Sequence, residues 1–312
     1  MMTRIIAICF SAIAPLLWGG MYAFSRLLMY KINPFALGES RLILAGLFYI
    51  LMVIVTTKKT PMPLKIKILA TGIGAMGVGG TSALQLYGTY LTSAHLAALV
   101  LSITPLLLLI SMRIILGIKI RLPVILMTLS SVIGLVIASG AWSSIQETKP
   151  IGFVVLLVAA VLWVLYSTLV QPLFATYSAW SIMLYSTLGG LAVLTPLSWR
   201  SLGTIGFVLY TPTSLLMVLY VGILSTGVAY LFWNTSILYA GPNLPALMYF
   251  LQPLIATILG VILLHERLTL NFIVGGIEMI ASVIIGVIFH YRFQSKSDTE
   301  SMPKYFGLSK GE

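Results

Sequence analysis

Apolar runs of about 20 residues recur from end to end of this 312-residue chain, each closed by a basic residue, a proline or a short polar cluster. A helix rising about 1.5 Å per residue needs a run of that length to cross roughly 30 Å of hydrocarbon. Short segments alternating apolar with polar residues are absent, so the runs are expected to be helices and not barrel strands. Hydrophobic residues make up 59% of the chain and charged residues 8%, and the mean hydropathy is +1.06. That leaves too little polar surface to cover a soluble globule, so the expected class is an all-α integral membrane protein.

Charges, prolines and polar clusters divide the chain into ten expected spans. They run Ile5 to Leu28, Pro34 to Thr56, Ile66 to Tyr87, Ala94 to Leu116, Pro123 to Ala141, Ile151 to Phe174, Ser178 to Leu197, Leu215 to Leu238, Pro245 to Leu264 and Leu270 to Tyr291. Gly203, Gly206 and Pro212 interrupt the apolar stretch between Arg200 and Ser214, which is read as lying along the membrane interface.

Two of the spans share a build. Setting Pro253 over Pro105, an offset of 148 residues, also superposes Leu244 on Leu96, Ala246 on Ala98, Leu247 on Leu99, Leu254 on Leu106, Leu264 on Leu116 and Arg267 on Lys119. The order of proline, apolar run and basic terminus points to two copies of one unit, residues 1–145 and 146–293, followed by a polar cytoplasmic tail, 294–312. The copies meet at the polar loop Ser143 to Lys149. Five spans per copy is an odd number, so the second copy enters the membrane inverted. Inverted repeats suit a secondary transporter, in which two halves exchange conformations around a shared midplane site.

The net charge of +11 is topological information and not a sign of nucleic-acid binding, because the basic residues sit at the ends of apolar runs and form no stripe with aromatics between. Twelve Lys and Arg residues fall on the side of both termini and five on the other, with Arg41 inside a span. The positive-inside rule then places both termini in the cytoplasm and the chain in the cytoplasmic (inner) membrane. Cys9 is the only cysteine, which excludes an internal disulfide or a thiolate metal site.

Several short features bear a family resemblance: Trp18-Gly19 in span one, Arg41 early in span two, the TSAHLAAL stretch at Thr92 to Leu99, Pro105 and Pro253 within their spans, and Glu266-Arg267-Leu268 after span nine. Together the chain resembles the drug/metabolite transporter superfamily, in particular its bacterial ten-span EamA type, over Ile5 to Tyr291. The resemblance implies a transporter of small metabolites that works without ATP, often an exporter of amino acids or related compounds. One departure stands out. The family often carries a glutamate after span four as well as after span nine, and the position matching Glu266 is Ile118.

A charge inside a span is costly and raises a functional hypothesis by default. Arg41 and Glu278 lie at matching depth, each on the order of 10 to 12 Å from the non-cytoplasmic start of its span, and are expected to be able to pair. Glu278 is the candidate for proton coupling, and Arg41 is either its partner or a contact for a substrate carboxylate. The alternatives are a purely structural ion pair and an arginine snorkelling to the interface. Glu39, two residues from Arg41, faces another way and is assigned to the wet end of its span. His95, His265 and His290 are expected near span ends.

Aromatic residues are the expected markers of a substrate cavity. Trp18 and Tyr22 share a helix face in span one, and Trp163 and Tyr166 share one in span six, the equivalent span of the second copy. Tyr87, Tyr230, Trp233 and Tyr249 add rings, while Asn234 and Gln252 add hydrogen-bonding groups at depth. That mixture suits a small amphipathic solute; the competing reading has the rings facing lipid or other helices. Pro105, Pro245 and Pro253 are hinge candidates, with plain packing kinks as the alternative.

No cofactor or metal is expected. His265-Glu266 lacks the second histidine of a zinc-protease motif, and the GxGxxG at Gly72 to Gly77 lies in an apolar span with no preceding strand, where it reads as close helix packing. The expected partners are a small-molecule substrate, the lipid bilayer and protons. Uptake or exchange of sugars or other polar metabolites is the second transport reading, and a membrane-embedded enzyme or a structural subunit is the competing class.

Overall fold

The computed structural model describes residues 4–56, 62–92, 97, 100–139, 150–201, 211–264 and 270–292, and among these every regular element is a helix. Without water in the hydrocarbon, backbone N–H and C=O groups must pair within their own segment, and the helix does this. The helices of the described residues are grouped, in chain order, into segments numbered one to ten. Segment one is Arg4–Met29 and segment two Pro34–Thr56. Segment three runs as Leu64–Gly74, a π-helical turn Ala75–Gly80, and Thr81–Leu91. Segment four is Thr104–Leu116 and segment five Leu122–Ser139.

Segment six is Pro150–Leu169 followed by Gln171–Thr176, and segment seven is Ala179–Ser198. Segment eight comprises Pro212–Leu219, a π-helical turn Tyr220–Val228, and Ala229–Ala240. Segment nine is Asn243–Met248 and Leu251–Leu264, and segment ten is Leu270–Arg292. Segments one, two, six, seven, eight and ten are long and apolar enough to cross a membrane, while four, five and nine carry shorter apolar helices. His95, His265, Glu266, Arg267 and the loop 143–149 lie outside the described residues, as does the side chain of Tyr22.

Packing follows the 148-residue offset seen in the sequence. Segment one packs on eight as six packs on three, one on nine as six on four, and two on eight as seven on three. Segments two and seven, and five and ten, pack on their own equivalents. The side-chain contacts are reciprocal too. Trp18 Nε1 donates to the Ser225 carbonyl at 2.9 Å, while Tyr166 lies against Gly77, and each residue of the second pair is 148 positions from one of the first. Between segments five and ten, Ser130 donates to Glu278, and these two residues are themselves 148 apart. Reciprocal contacts of this kind are those of a two-fold relation, in which residue i meets j and j meets i.

The apolar composition fills both sides of these helices. Trp233, Tyr49, Tyr166 and Phe250 are fully buried, while Ile5, Ile54, Ile114, Ile284 and Ile288 stand on the outside as a shell suited to lipid. Glycines set the closest crossings. A Cβ on Gly189 would sit 2.0 Å from the Thr71 carbonyl oxygen, and one on Gly74 would sit 2.1 Å from that of Ser186. Both obstacles are backbone, which cannot swing aside as a side chain tip can, so segments three and seven touch only because these positions lack a side chain.

A paired substitution tests that contact. Gly189→Ala should lower the thermal midpoint of the solubilised protein, at a cost of about 1 to 3 kcal/mol for overpacking. Gly72→Ala, with no atom within 4 Å of its new methyl, should be neutral or slightly stabilising. A wild-type melting profile for Gly189→Ala would show that the crossing yields without cost.

Candidate functional site

Pro105 and Pro253, equivalent by the repeat, do the same local work. A proline has no N–H to offer the carbonyl four residues back and its ring crowds that oxygen. The carbonyls concerned belong to Leu101 and Tyr249, and the helix breaks just ahead of each proline, at residues 102–103 and 249–250. Tyr249 O is taken instead by the Gln252 N–H at 3.1 Å. Both prolines thus occupy the first turn of a new helix instead of kinking a continuous one, as expected of N-terminal prolines. Pro245 likewise sits in the first turn of Asn243–Met248.

These two breaks open onto one cavity. Leu101 and Thr104 from segment four, and their equivalents Tyr249 and Gln252 from segment nine, line a partly open space of about 420 Å³. Trp18 and Met21 of segment one, Thr81 and Gln85 of three, Ala160 and Trp163 of six, and Tyr230 of eight complete the wall. Both repeats therefore contribute. A second space of about 310 Å³ adjoins it behind Tyr249 and Gln252, lined by Leu135, Phe250 and Ala256.

Trp18 is the centre of an aromatic cluster. Its ring stands 5.7 Å from Trp163 and 6.1 Å from Tyr249, both edge to face, and 5.3 Å from Trp233. Trp163 in turn meets Tyr230 at 4.8 Å. Such pairs add about 0.5 to 1.5 kcal/mol each beyond area burial. The polar ends are fixed as well. Trp18 Nε1 holds Ser225 O inside the second π-helical turn, and Tyr49 Oη donates to Gly227 O at 2.7 Å. Trp233 Nε1 donates to Ser167 Oγ at 3.0 Å. The rings are therefore anchored in place, with Gln252 Oε1 left as a buried acceptor without a hydrogen-bond partner.

Of the residues singled out by sequence, Trp18, Trp163, Tyr230, Tyr249 and Gln252 line the cavity. Tyr166 and Asn234 lie outside its wall. Tyr166 is fully buried with its hydroxyl 3.6 Å from Met183 Sδ, and Asn234 donates to Tyr230 O and receives Gln171 Nε2. Tyr87 is elsewhere, with 43% of its surface exposed and its ring stacked on Phe35. Met21, Thr81, Gln85, Leu101, Thr104 and Ala160 were not anticipated. Leu101 and Thr104 were within reach, since the 148-residue offset carries Tyr249 and Gln252 onto them.

Two expectations about charges need correction. Arg41 and Glu278 do not pair. Arg41 Nη2 donates to Ser82 Oγ at 2.7 Å and Nη1 to Met21 Sδ at 3.4 Å, whereas Glu278 is held by Ser130 and, at 3.1 Å, by Ser282. Equal depth placed them in one layer, but segment two packs on seven and eight while ten packs on five. Glu39 is not at a wet end: it is 3% exposed, with Thr195 Oγ1 donating at 2.8 Å and Ser198 donating to the other oxygen. His290 lies in the last turn of segment ten, at a span end as expected, and is 4% exposed there.

The comparisons with known proteins agree with this architecture. Over 67 residues, 22% of this chain and 86% of the other, it is 36% identical to a permease-like protein of Bacillus subtilis (strain 168). It is 27% identical over 151 residues to an uncharacterized transporter of Clostridium kluyveri, covering 47% of this chain and 46% of that protein. A transporter of Archaeoglobus fulgidus, also uncharacterized, is 26% identical over 48% of this chain and 52% of its own length. The chain thus matches about half the length of these two relatives. One solved crystal structure superposes with a TM-score of 0.73 over 93% of this chain and 98% of its own, at 19% identity, which speaks to the fold alone. The family model of the EamA-like transporters matches twice, over residues 5–140 and 150–288, once for each repeat. The chain is a multi-pass membrane protein that belongs to the EamA-like transporter family.

Proposed function

We propose that this protein exports amino acids or related small metabolites across the cytoplasmic membrane by alternating access, as a secondary transporter with both termini in the cytoplasm. The observation that carries this reading is the cavity walled by equivalent residues of both repeats, Leu101 with Tyr249 and Thr104 with Gln252. A site shared by two repeats of opposite orientation can face either side when the repeats exchange conformations. Anchored rings with a few polar groups suit a small amphipathic solute, for which the aromatic faces supply contact and the Gln252 carbonyl an acceptor. Export is taken from the family resemblance, and the orientation from the distribution of Lys and Arg.

The hinges in this reading are the breaks before Pro105 and Pro253, together with the π-helical turns of segments three and eight. The π-helical turns end at equivalent residues, Gly80 and Val228, and such turns mark functional sites in many helices. Proton coupling is assigned to Glu278, acting at the contact of segments five and ten instead of in the cavity. Protonation there would change the bond to Ser130, which lies between equivalent positions of the two repeats.

Single-cysteine labelling tests the cavity. In a Cys9→Ser background, Thr104→Cys and Gln252→Cys should react with a small charged thiol reagent in membranes, and a transported solute should slow both reactions about tenfold. Ile284→Cys, on the outer shell, should not react. Equal reactivity at all three positions would rule the cavity out as the solute path.

Flux in proteoliposomes tests the coupling. An imposed pH gradient should drive amino-acid flux through the wild type, and Glu278→Gln should lose the dependence on that gradient. Wild-type pH dependence in Glu278→Gln would remove Glu278 from coupling, and absence of flux for every metabolite class would overturn the transport reading itself.

A further inference from the structure

Arg41 is a buried charge with few partners. It is 3% exposed within segment two, its Nε has no hydrogen-bond partner, and its other partners are one hydroxyl, Ser82, and one thioether, Met21. A guanidinium stays protonated in proteins and carries five N–H donors arranged as a planar fork. A thioether sulfur is a weak acceptor. Glu39, two positions away, is engaged by Thr195 and Ser198 of segment seven. The fork is therefore buried and underbonded.

Met21 is the layer between this fork and the cavity. It lines the cavity, as does Thr81 beside Ser82, while its sulfur touches Arg41 Nη1. Methionine is unbranched with three rotatable bonds, so a change of rotamer can expose what lies behind it.

We propose that Arg41 and Ser82 form a carboxylate seat at the wall of the cavity, capped by Met21 in this conformation and opened when a solute carboxylate displaces the sulfur. A carboxylate matches the fork with two parallel charge-assisted bonds, which Met21 cannot offer. The charges nearby favour a zwitterion over a simple anion. Arg41 and Glu39 already balance, so a solute of zero net charge adds no uncompensated charge to the membrane interior. The Gln252 carbonyl, buried and without a partner on the cavity wall, provides an acceptor for the solute's N–H groups. This assignment rests on the cavity being the solute's path, and it narrows the solute to metabolites carrying a free carboxylate with a compensating ammonium.

Acid and amide pairs of one shape test the seat. Quenching of tryptophan fluorescence, with Trp18 and Trp163 in the cavity wall, would be followed in lipid nanodiscs during titration with L-leucine against L-leucinamide and benzoate against benzamide. The wild type should bind each acid about tenfold or more tightly than its amide, the scale of one charge-assisted pair. Arg41→Gln should lose that preference by weakening the acids and sparing the amides. Met21→Ala keeps the guanidinium and removes the cap, so it should enlarge the preference a few-fold; it carries the test where Arg41→Gln does not fold.

Equal affinity for acid and amide in the wild type, a preference surviving Arg41→Gln, a preference unmoved by Met21→Ala, or no binding of any of the four probes would overturn the seat. Flux measured in parallel separates the two levels. Arg41-dependent binding of acids without flux of any solute would overturn transport and support the seat, whereas flux of amides or amines without acid preference would overturn the seat alone.

Discussion

A carbonyl in a lipid-embedded helix has no water to turn to, so every interruption of the helical ladder must be answered by something nearby. This chain interrupts the ladder at equivalent places in its two repeats, before Pro105 and Pro253 and in the π-helical turns Ala75–Gly80 and Tyr220–Val228. The answers assemble the site. Tyr249 O takes the Gln252 N–H, which turns the Gln252 side chain onto the cavity wall. Ser225 O takes the Trp18 indole and Gly227 O takes the Tyr49 hydroxyl, which ties segments one and two to segment eight. The ring at the centre of the aromatic cluster is thus positioned by a backbone irregularity in the opposite repeat.

The same requirement explains how much of the architecture was legible beforehand. Helical spans follow from run length and composition, and the repeat follows from Pro105 and Pro253 together with the apolar matches around them. The cavity aromatics Trp18 and Trp163 were marked by occupying corresponding segments of the two halves. Leu101 and Thr104 were missed because they carry no conspicuous chemistry, although the repeat offset leads to them from Tyr249 and Gln252.

What sequence could not give was the angular position of each helix about the bundle. Depth is one coordinate, and it placed Arg41 and Glu278 in one layer; the neighbours of segments two and ten then put them in different places. Glu39 failed for a related reason. Charges near a span end are ordinarily assigned to water, but segment two packs along segment seven there, and Thr195 and Ser198 supply two hydroxyls. Tyr87 and Tyr166 have the same lesson in the apolar case, one ring out on Phe35 and the other sealed beneath the cavity against Gly77.

The two-fold relation governs the packing but not the chemistry. Arg41 corresponds to Gly189, Glu39 to Thr187, Ser82 to Tyr230 and Glu278 to Ser130, so none of these functional groups is repeated. The glycine that stands for Arg41 is needed where it is, since Gly189 is the point at which segments three and seven touch. Duplication would supply two interchangeable scaffolds, whereas the buried charges of segment two, Glu39 and Arg41, belong to the first repeat alone. If the halves exchange conformations, the walls exchange roles while that polar face remains with the first repeat. A solute gripped by its carboxylate would keep the same partner throughout the crossing, and the change in access would fall on the prolines, the π-helical turns and the rings they position.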